Sequence, residues 1–459
     1  MAAIELFLFA YLWGFAAGGP ASCEKTECTT PSCRKLVSEI IRDMNETVDR
    51  CEDFYEYSCG GYKARYLHLP FAFAYSQEEA PIKKFVIDLL EKSINNDSDV
   101  KALPGKYYAQ CMAAVKGHND SSWMAHIMEA IDEELGGWPM VDGANSSLPL
   151  AALMAKATAL KSNGILDLVP SPRAVNGTNE LVLKVKVFPA VNAAGYFITN
   201  ISEMFQKEIS ELDVSQLEDL AKSLADITNG PNSFIMFGET KEKRYSLREF
   251  EDKFQLTFIK DLVTETFRLY SMQQIRKSDI IVDDNLEKQL SRIASVFNQT
   301  ADRTKVNYII LNTFFRRSFE WELPTADGCF EKIRSGLPLA LNRLFVDAVF
   351  DKEHVDGFDT VEKFVRKAYI EIFNTSTVLS DKDKDHLLDK LNKMGSTRGF
   401  SKSLLDDDLL TGFFAQLGSL GSGYLSDTIK IEIFRKAKLL QVELEPQKLR
   451  VSTDAAERM

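Results

Sequence analysis

Histidine is scarce in this chain of 459 residues: five are present, His68, His118, His126, His354 and His386, and no two are four apart. No helix can therefore set two imidazoles on one face, no HExxH motif exists, and a helical zinc-hydrolase centre is excluded. The nearest approach to a ligand set is His118, His126 and Glu129. The histidines are eight apart with a loop over 117–122 between them, so these read as surface residues, and no catalytic or metal-binding residue is expected. Positive charge is also in deficit, 55 Lys and Arg against 67 Asp and Glu for a net charge of −12. Nucleic acid and anionic membrane both require clustered cations and are excluded as partners. The run 418–423, GSLGSG, fits neither G-x-S-x-G nor G-x-G-x-x-G and reads as a flexible linker.

Long apolar runs are missing too, except near the start. Residues 6–17 (LFLFAYLWGFAA) form a run of twelve, about 18 Å as a helix against a hydrocarbon core of roughly 30 Å. With small residues over 18–22 behind it, this reads as a signal peptide over 1–21 cleaved near Ala21, although no Lys or Arg precedes it. The expectation is a secreted, extracellular protein that no longer touches a membrane; the alternative is a signal anchor in the plasma membrane. Eight N-x-S/T triplets, at Asn45, Asn96, Asn119, Asn145, Asn176, Asn200, Asn298 and Asn374, agree with export and mark glycosylation sites. Seven cysteines, an odd number in an oxidising compartment, leave one thiol over or paired between chains.

What the chain has in quantity is helical periodicity. Thr30 and Pro31 read as an N-cap and first helical residue, followed by Leu36, Val37, Ile40, Ile41, Met44 and Val48 as one buried face. The stretch 51–62, CEDFYEYSCGGY, reads as an anchoring turn, in which Gly60 and Gly61 permit positive φ or a close backbone approach. Pro81 is expected to start a helix with Ile82, Phe85, Val86, Leu89 and Leu90 inward. Further helices are expected over 107–115, 123–135, 150–160, 286–297, 306–315, 333–349, 361–373 and 382–394. The β-rich runs 165–169 and 181–188 predict a hairpin with a long tip, and 280–282 a short strand. Ser246 and Glu249 have capping-box spacing, ahead of Phe250, Phe254, Phe258 and Leu262 on one core-facing stripe. Beyond 400 only 429–440 reads as helix, and 443–459 reads as frayed.

In chain order, Cys28, Cys33, the run Met44-Asn45-Glu46-Thr47-Val48-Asp49, Cys51, Asp53-Phe54-Tyr55 and Cys59-Gly60-Gly61 resemble the opening of the neprilysin-like zinc endopeptidases, the M13 metallopeptidase family. Tyr107-Tyr108-Ala109-Gln110-Cys111 and Cys329, followed by 339–350 (LALNRLFVDAVF), resemble the family's later half-cystine segments. The likeness runs over roughly 23–400. It implies a mainly α fold, a multi-helix lobe of the neprilysin type with a small β-hairpin. The implied divisions are 22–105, which in the family packs against the catalytic lobe, a large helical outer lobe over 106–400, and a poorly defined tail over 401–459.

The resemblance also implies disulfides Cys28–Cys33 and Cys111–Cys329. It gives Cys51 and Cys59 partners in a catalytic half that does not occur in this sequence, and gives Cys23 no counterpart. Local pairing among Cys23, Cys51 and Cys59 is the alternative. The family's zinc ligands and Asn-Ala-Tyr/Phe substrate strand are missing, and the place of its Arg-Tyr pair, which holds the peptide C-terminus, aligns with Ala74-Tyr75. The expectation is the N-terminal portion of a secreted metalloendopeptidase that needs zinc as a whole, with no cofactor in this chain and no activity alone. The alternative is a secreted pseudoenzyme, a decoy that binds peptides or a secreted protein.

Overall fold

The computed structural model describes residues 29–66, 76–96, 99–117, 120–162, 165–175, 178–187, 201–228, 241–271, 279–316, 322–395 and 400–444. The chain divides between Lys83 and Lys84 into two compact units. In the first unit, helix α1 (Pro31–Asp43) starts as its residues dictate: the Thr30 hydroxyl accepts from the Cys33 N–H at 3.2 Å, and Pro31 fills the first helical position, where no N–H is needed. Helix α2 (Phe54–Tyr66) packs against it. Helix α3 (Ser76–Ser93) contains Pro81 in its interior instead of at its start, because one missing i→i−4 bond does not outweigh the turn already formed ahead of it. Val86 and Leu90 are buried as expected, whereas Ile82 and Phe85 are exposed.

The second unit continues with α4 (Asp99–Gly117), α5 (Asp120–Leu135), the single turn α6 (Pro139–Asp142) and α7 (Leu150–Ala159). Strands β1 (Asp167–Val175) and β2 (Thr178–Lys186) precede α8 (Glu211–Thr228), β3 (Glu242–Tyr245), α9 (Leu247–Phe254) and α10 (Ile259–Leu269). Strand β4 (Ile280–Asp283) leads into α11 (Asp284–Gln299), α12 (Asp302–Arg316), α13 (Ala326–Gly336), α14 (Pro338–Val349), α15 (Lys352–Thr375) and α16 (Asp381–Lys393). The described chain closes with α17 (Asp407–Phe414) and α18 (Tyr424–Leu444).

The core gathers around α4. Tyr107 is fully buried, its ring stacked on Tyr424 with centroids 5.8 Å apart and its hydroxyl 2.7 Å from Thr428 Oγ1, which ties α4 to α18. Cys111 is joined to Cys329, Cα atoms 5.7 Å apart, which ties α4 to α13. Elsewhere Arg303 donates to both oxygens of Asp213, at 2.9 and 3.0 Å, and to the Pro139 carbonyl at 2.7 Å, so that α12, α8 and α6 share one guanidinium. That hydrogen-bonded cation holds the Asp213 carboxyl below its ordinary range.

The sheet has the order β1-β2-β4-β3, with β2 and β4 parallel and the outer pairs antiparallel. Pro170 and Pro172 lie in β1, an edge strand, where a missing N–H costs no ladder bond on the open side. The hairpin consequently pairs as far as Val175 opposite Thr178, and the expected long tip is strand. The capping box forms, with the Ser246 hydroxyl accepting from the Glu249 N–H and the Glu249 carboxylate accepting from the Ser246 N–H. The aromatic stripe behind it is cut in two. Gln255 ends α9 in the left-handed conformation at φ 55°, so Phe250 and Phe254 sit on one helix and Leu262 on the next, with Phe258 stacked on Phe297 at 4.0 Å between them.

The segment after 400 also differs from expectation. Helix α18 runs through Leu444 and buries Tyr424, Leu425, Ile429, Phe434, Ala437 and Leu440 in the core. The Gly/Ser run before it is a fixed turn rather than a linker. The buried Asp427 carboxylate accepts from the Gly421 N–H at 2.8 Å, and Gly418, Gly421 and Gly423 take φ of 72°, 139° and 133°. Residues 445–459 lie outside those described.

Two outcomes follow from these contacts. Replacing Cys111 and Cys329 with Ser releases a crosslink spanning 218 residues and is expected to cost on the order of 5 kcal/mol in the chain-entropy picture, read from denaturant midpoints. Glu287 receives hydrogen bonds from Lys243, Lys253 and Tyr245, which pull its carboxyl from 4.5 down to about 2. Its contribution is complete above the ordinary value and is lost as pH falls towards the lower one. Unfolding midpoints of Glu287→Gln should therefore fall less steeply than wild type over that interval.

Candidate functional site: the thiol-bearing hairpin and open helical faces

Both cysteines of the 51–62 stretch are free thiols, Cys51 exposed and Cys59 half-buried. The turn expected there is a helix. Asp49 accepts from the Cys51 N–H at 2.7 Å and Asp53 from the Glu56 N–H at 2.9 Å, which starts α2 at Phe54 and carries Gly60 and Gly61 inside it. The glycines serve close approach, not positive φ: a Cβ on Gly61 would lie 2.5 Å from the Arg42 carbonyl oxygen, and one on Gly60 2.7 Å from the Asn45 Cβ. The crossing is locked by the Asn45 N–H donating to Tyr57 O at 2.7 Å. Arg65 donates to Arg42 O at 2.7 Å and to the Asp43 carboxylate, satisfying acceptors at the end of α1.

This geometry lays the end of α1 on α2 and leaves the apolar stripe of α1 uncovered. Leu36, Val37, Ile40 and Ile41, expected to be buried, are exposed, 56% at Leu36, as are Phe54 and Tyr55 at the start of α2. Periodicity locates a stripe but does not supply the surface that covers it. In the second unit α15 shows the same pattern. Phe358, Val361, Val365 and Ile372 share one face and are exposed, although Arg366 fastens α15 to α16 by donating to the Leu391 and Met394 carbonyls, each at 2.7 Å.

The remaining sequence expectations fall as follows. Cys33 is disulfide-bonded, and its partner lies outside the described residues together with Cys23 and Cys28. Of the sequons, Asn96, Asn145, Asn298 and Asn374 are exposed; Asn45 is half-buried; Asn119, Asn176 and Asn200 lie outside the described residues, as do Ala74 and Tyr75. Asn45 accepts through Oδ1 from the hydroxyl of Thr47 at 2.6 Å, within its own sequon. His126 Nδ1 lies 3.2 Å from Glu129 Oε2, and His386 is exposed on α16; His68, His118 and the side chain of His354 are outside the description. Among the described residues no three His, Cys, Asp or Glu side chains converge to hold a metal ion, so these residues do not fit zinc. Linear reading missed Arg65 and Asp43, whose pairing across 22 residues leaves no periodic signal.

Fold and site together define a mainly helical protein with exposed apolar helix faces and two free thiols. A model of the family described as Peptidase family M13 matches residues 50–401, and the chain belongs to that family. Neprilysin-1 of Trittame loki is 19% identical, with 89% of this chain and 63% of that protein covered. Neprilysin-2 of Caenorhabditis elegans is 22% identical, over 83% of this chain and 58% of that protein. The chain therefore spans 63% and 58% of these relatives' lengths. Among solved structures, PEPO from Lactobacillus rhamnosis HN001 shares 14% identity over 84% of this chain and 65% of that one at a TM-score of 0.42, a likeness too distant to carry an argument.

Gly61→Ala drives a methyl group into the Arg42 carbonyl and is expected to cost about 1–3 kcal/mol in the hairpin. Limited proteolysis should then cut within residues 29–66 earlier than in wild type, while the melting of the second unit is unchanged. In this chain alone, folded, Cys51 and Cys59 should both react with an alkylating reagent, Cys51 faster.

Proposed function

We propose that this chain is the non-catalytic amino-terminal part of a secreted, glycosylated M13 metalloendopeptidase. The observation that carries the reading is the conjunction, in one hairpin, of two free thiols with an uncovered apolar helix face. The family resemblance gives Cys51 and Cys59 partners in the catalytic half, and a catalytic half is a surface able to cover Leu36, Val37, Ile40 and Ile41. When bound by that half, zinc activates water and polarises the scissile carbonyl. This chain contributes walls: a rigid helical lobe that limits which peptides reach the centre. The signal-like run at 6–17 and the exposed Asn96, Asn145, Asn298 and Asn374 support export and glycosylation. No described helix is long and apolar enough to cross a membrane.

A second reading, a secreted decoy that binds peptides or a protein without hydrolysis, is favoured by α18, which closes the core of the second unit with residues of this chain. The two readings diverge in one experiment. Co-expression with the HExxH-bearing half of a neprilysin-like relative should protect Cys51 and Cys59 from alkylation and yield a disulfide-linked complex, whereas a decoy stays monodisperse with both thiols reactive. The chain by itself is expected to retain no stoichiometric zinc and to cleave no peptide. Chelator-sensitive cleavage by the chain alone overturns both.

A further inference from the structure

A cleft of about 630 Å³ opens between α5, α6 and residues 204–207. Its apolar lining is dominated by thioethers, Met124, Met128 and Met204, with Val141 and Phe205 beside them. Methionine side chains are unbranched and polarisable and adapt to the shape of what enters. The polar lining has one sign in excess: Glu129, Asp132, Glu133 and Asp142 against Lys207. Three of these carboxylates are held in place. Asp142 accepts from the Trp138 and Ala144 N–H groups, each at 2.8 Å, Glu133 from the Ser426 hydroxyl at 2.7 Å, and Glu129 lies 3.2 Å from His126. Asp132 faces Asp142 across Gly137: a Cβ on that glycine would lie 3.4 Å from Asp132 Oδ1 and 3.2 Å from Asp142 Oδ2. Burial and the nearby Asp142 charge push the Asp132 carboxyl up, a penalty that an incoming cation relieves.

We propose that this cleft docks a cationic, amphipathic peptide segment, its Lys or Arg side chains on the carboxylate rim and its apolar side chains between the methionines. Charge complementarity selects this occupant: an acidic or neutral apolar segment would leave the rim carboxylates facing like charge or deprived of water, while a free cation would make no use of the thioether floor. The size suits a few side chains of a helix or turn. The inference stands on the second unit alone and does not depend on the chain being part of a peptidase.

The test uses the full chain and a fluorescein-labelled helical peptide built from Lys and Leu, with a Glu and Leu peptide of the same length as its opposite, read by fluorescence anisotropy. The Lys peptide is expected to bind, and the double variant Glu129→Lys/Asp132→Lys to weaken it by about tenfold or more. The charge-matched control Asp385→Lys/Asp389→Lys, on α16, should leave affinity within about twofold. Met128→Gln should weaken binding while melting like wild type, which separates loss of the apolar floor from loss of fold. The proposal is overturned if the Lys peptide does not bind, if the Glu peptide binds equally, or if the control variant weakens binding as much as the rim variant.

Discussion

Helix α4 joins three parts of the second unit, chiefly through one covalent bond and one aromatic stack. Cys111 fixes it to α13, and Tyr107 fixes it to α18 through the Tyr424 ring and Thr428. Gly105 lets a third neighbour in, since a Cβ there would lie 2.5 Å from the Leu90 carbonyl at the end of α3. With those contacts made, α14 and α17 also pack on α4, and the sheet side of the unit reaches it through α18, which touches β1 and β2. A second group of helices, α7 with α10 and α12 and α12 with α8, packs together rather than on α4 and completes the unit.

The separation between a closed core and open faces is what gives the molecule its functional character. The second unit packs its own apolar interior: the Trp138 ring lies against Phe205 and Phe314, and Arg303 donates to both oxygens of Asp213. The α1 face and the α15 face are apolar and uncovered, and the free thiols sit beside the first of them. The contrast lies between a buried core in the second unit and apolar side chains left exposed on α1 and α15.

Much of the helical order was legible in the sequence because periodicity and caps are local. Thr30 with Pro31 and Ser246 with Glu249 announce their helices and form them as read. What stayed hidden depends on residues far away in the chain. Nothing near Leu36 reveals that its stripe is left exposed; Pro170 and Pro172, by contrast, are what an edge strand tolerates, and Asn176-Gly177 between the two runs is the dipeptide that favours a tight hairpin. Gly60 and Gly61 were ambiguous between bend and close approach until the Arg42 carbonyl was in place to decide it. The order after residue 400 was masked by Gly and Ser, whose flexibility is cancelled by one buried carboxylate, Asp427. Of the candidate site, the cysteines could be named from the sequence, but the apolar face beside them could not.

The long crosslink on α4 sets a schedule for biosynthesis. A nascent chain growing at about 5–20 residues per second presents Cys111 for roughly 10–40 s before Cys329, 218 positions later, has been made. During that wait the thiols of Cys51 and Cys59 are already available, and the shorter loops they would close are entropically cheaper. The native bond therefore closes the longest of the loops open to Cys111, and the structure keeps it while Cys51 and Cys59 stay free.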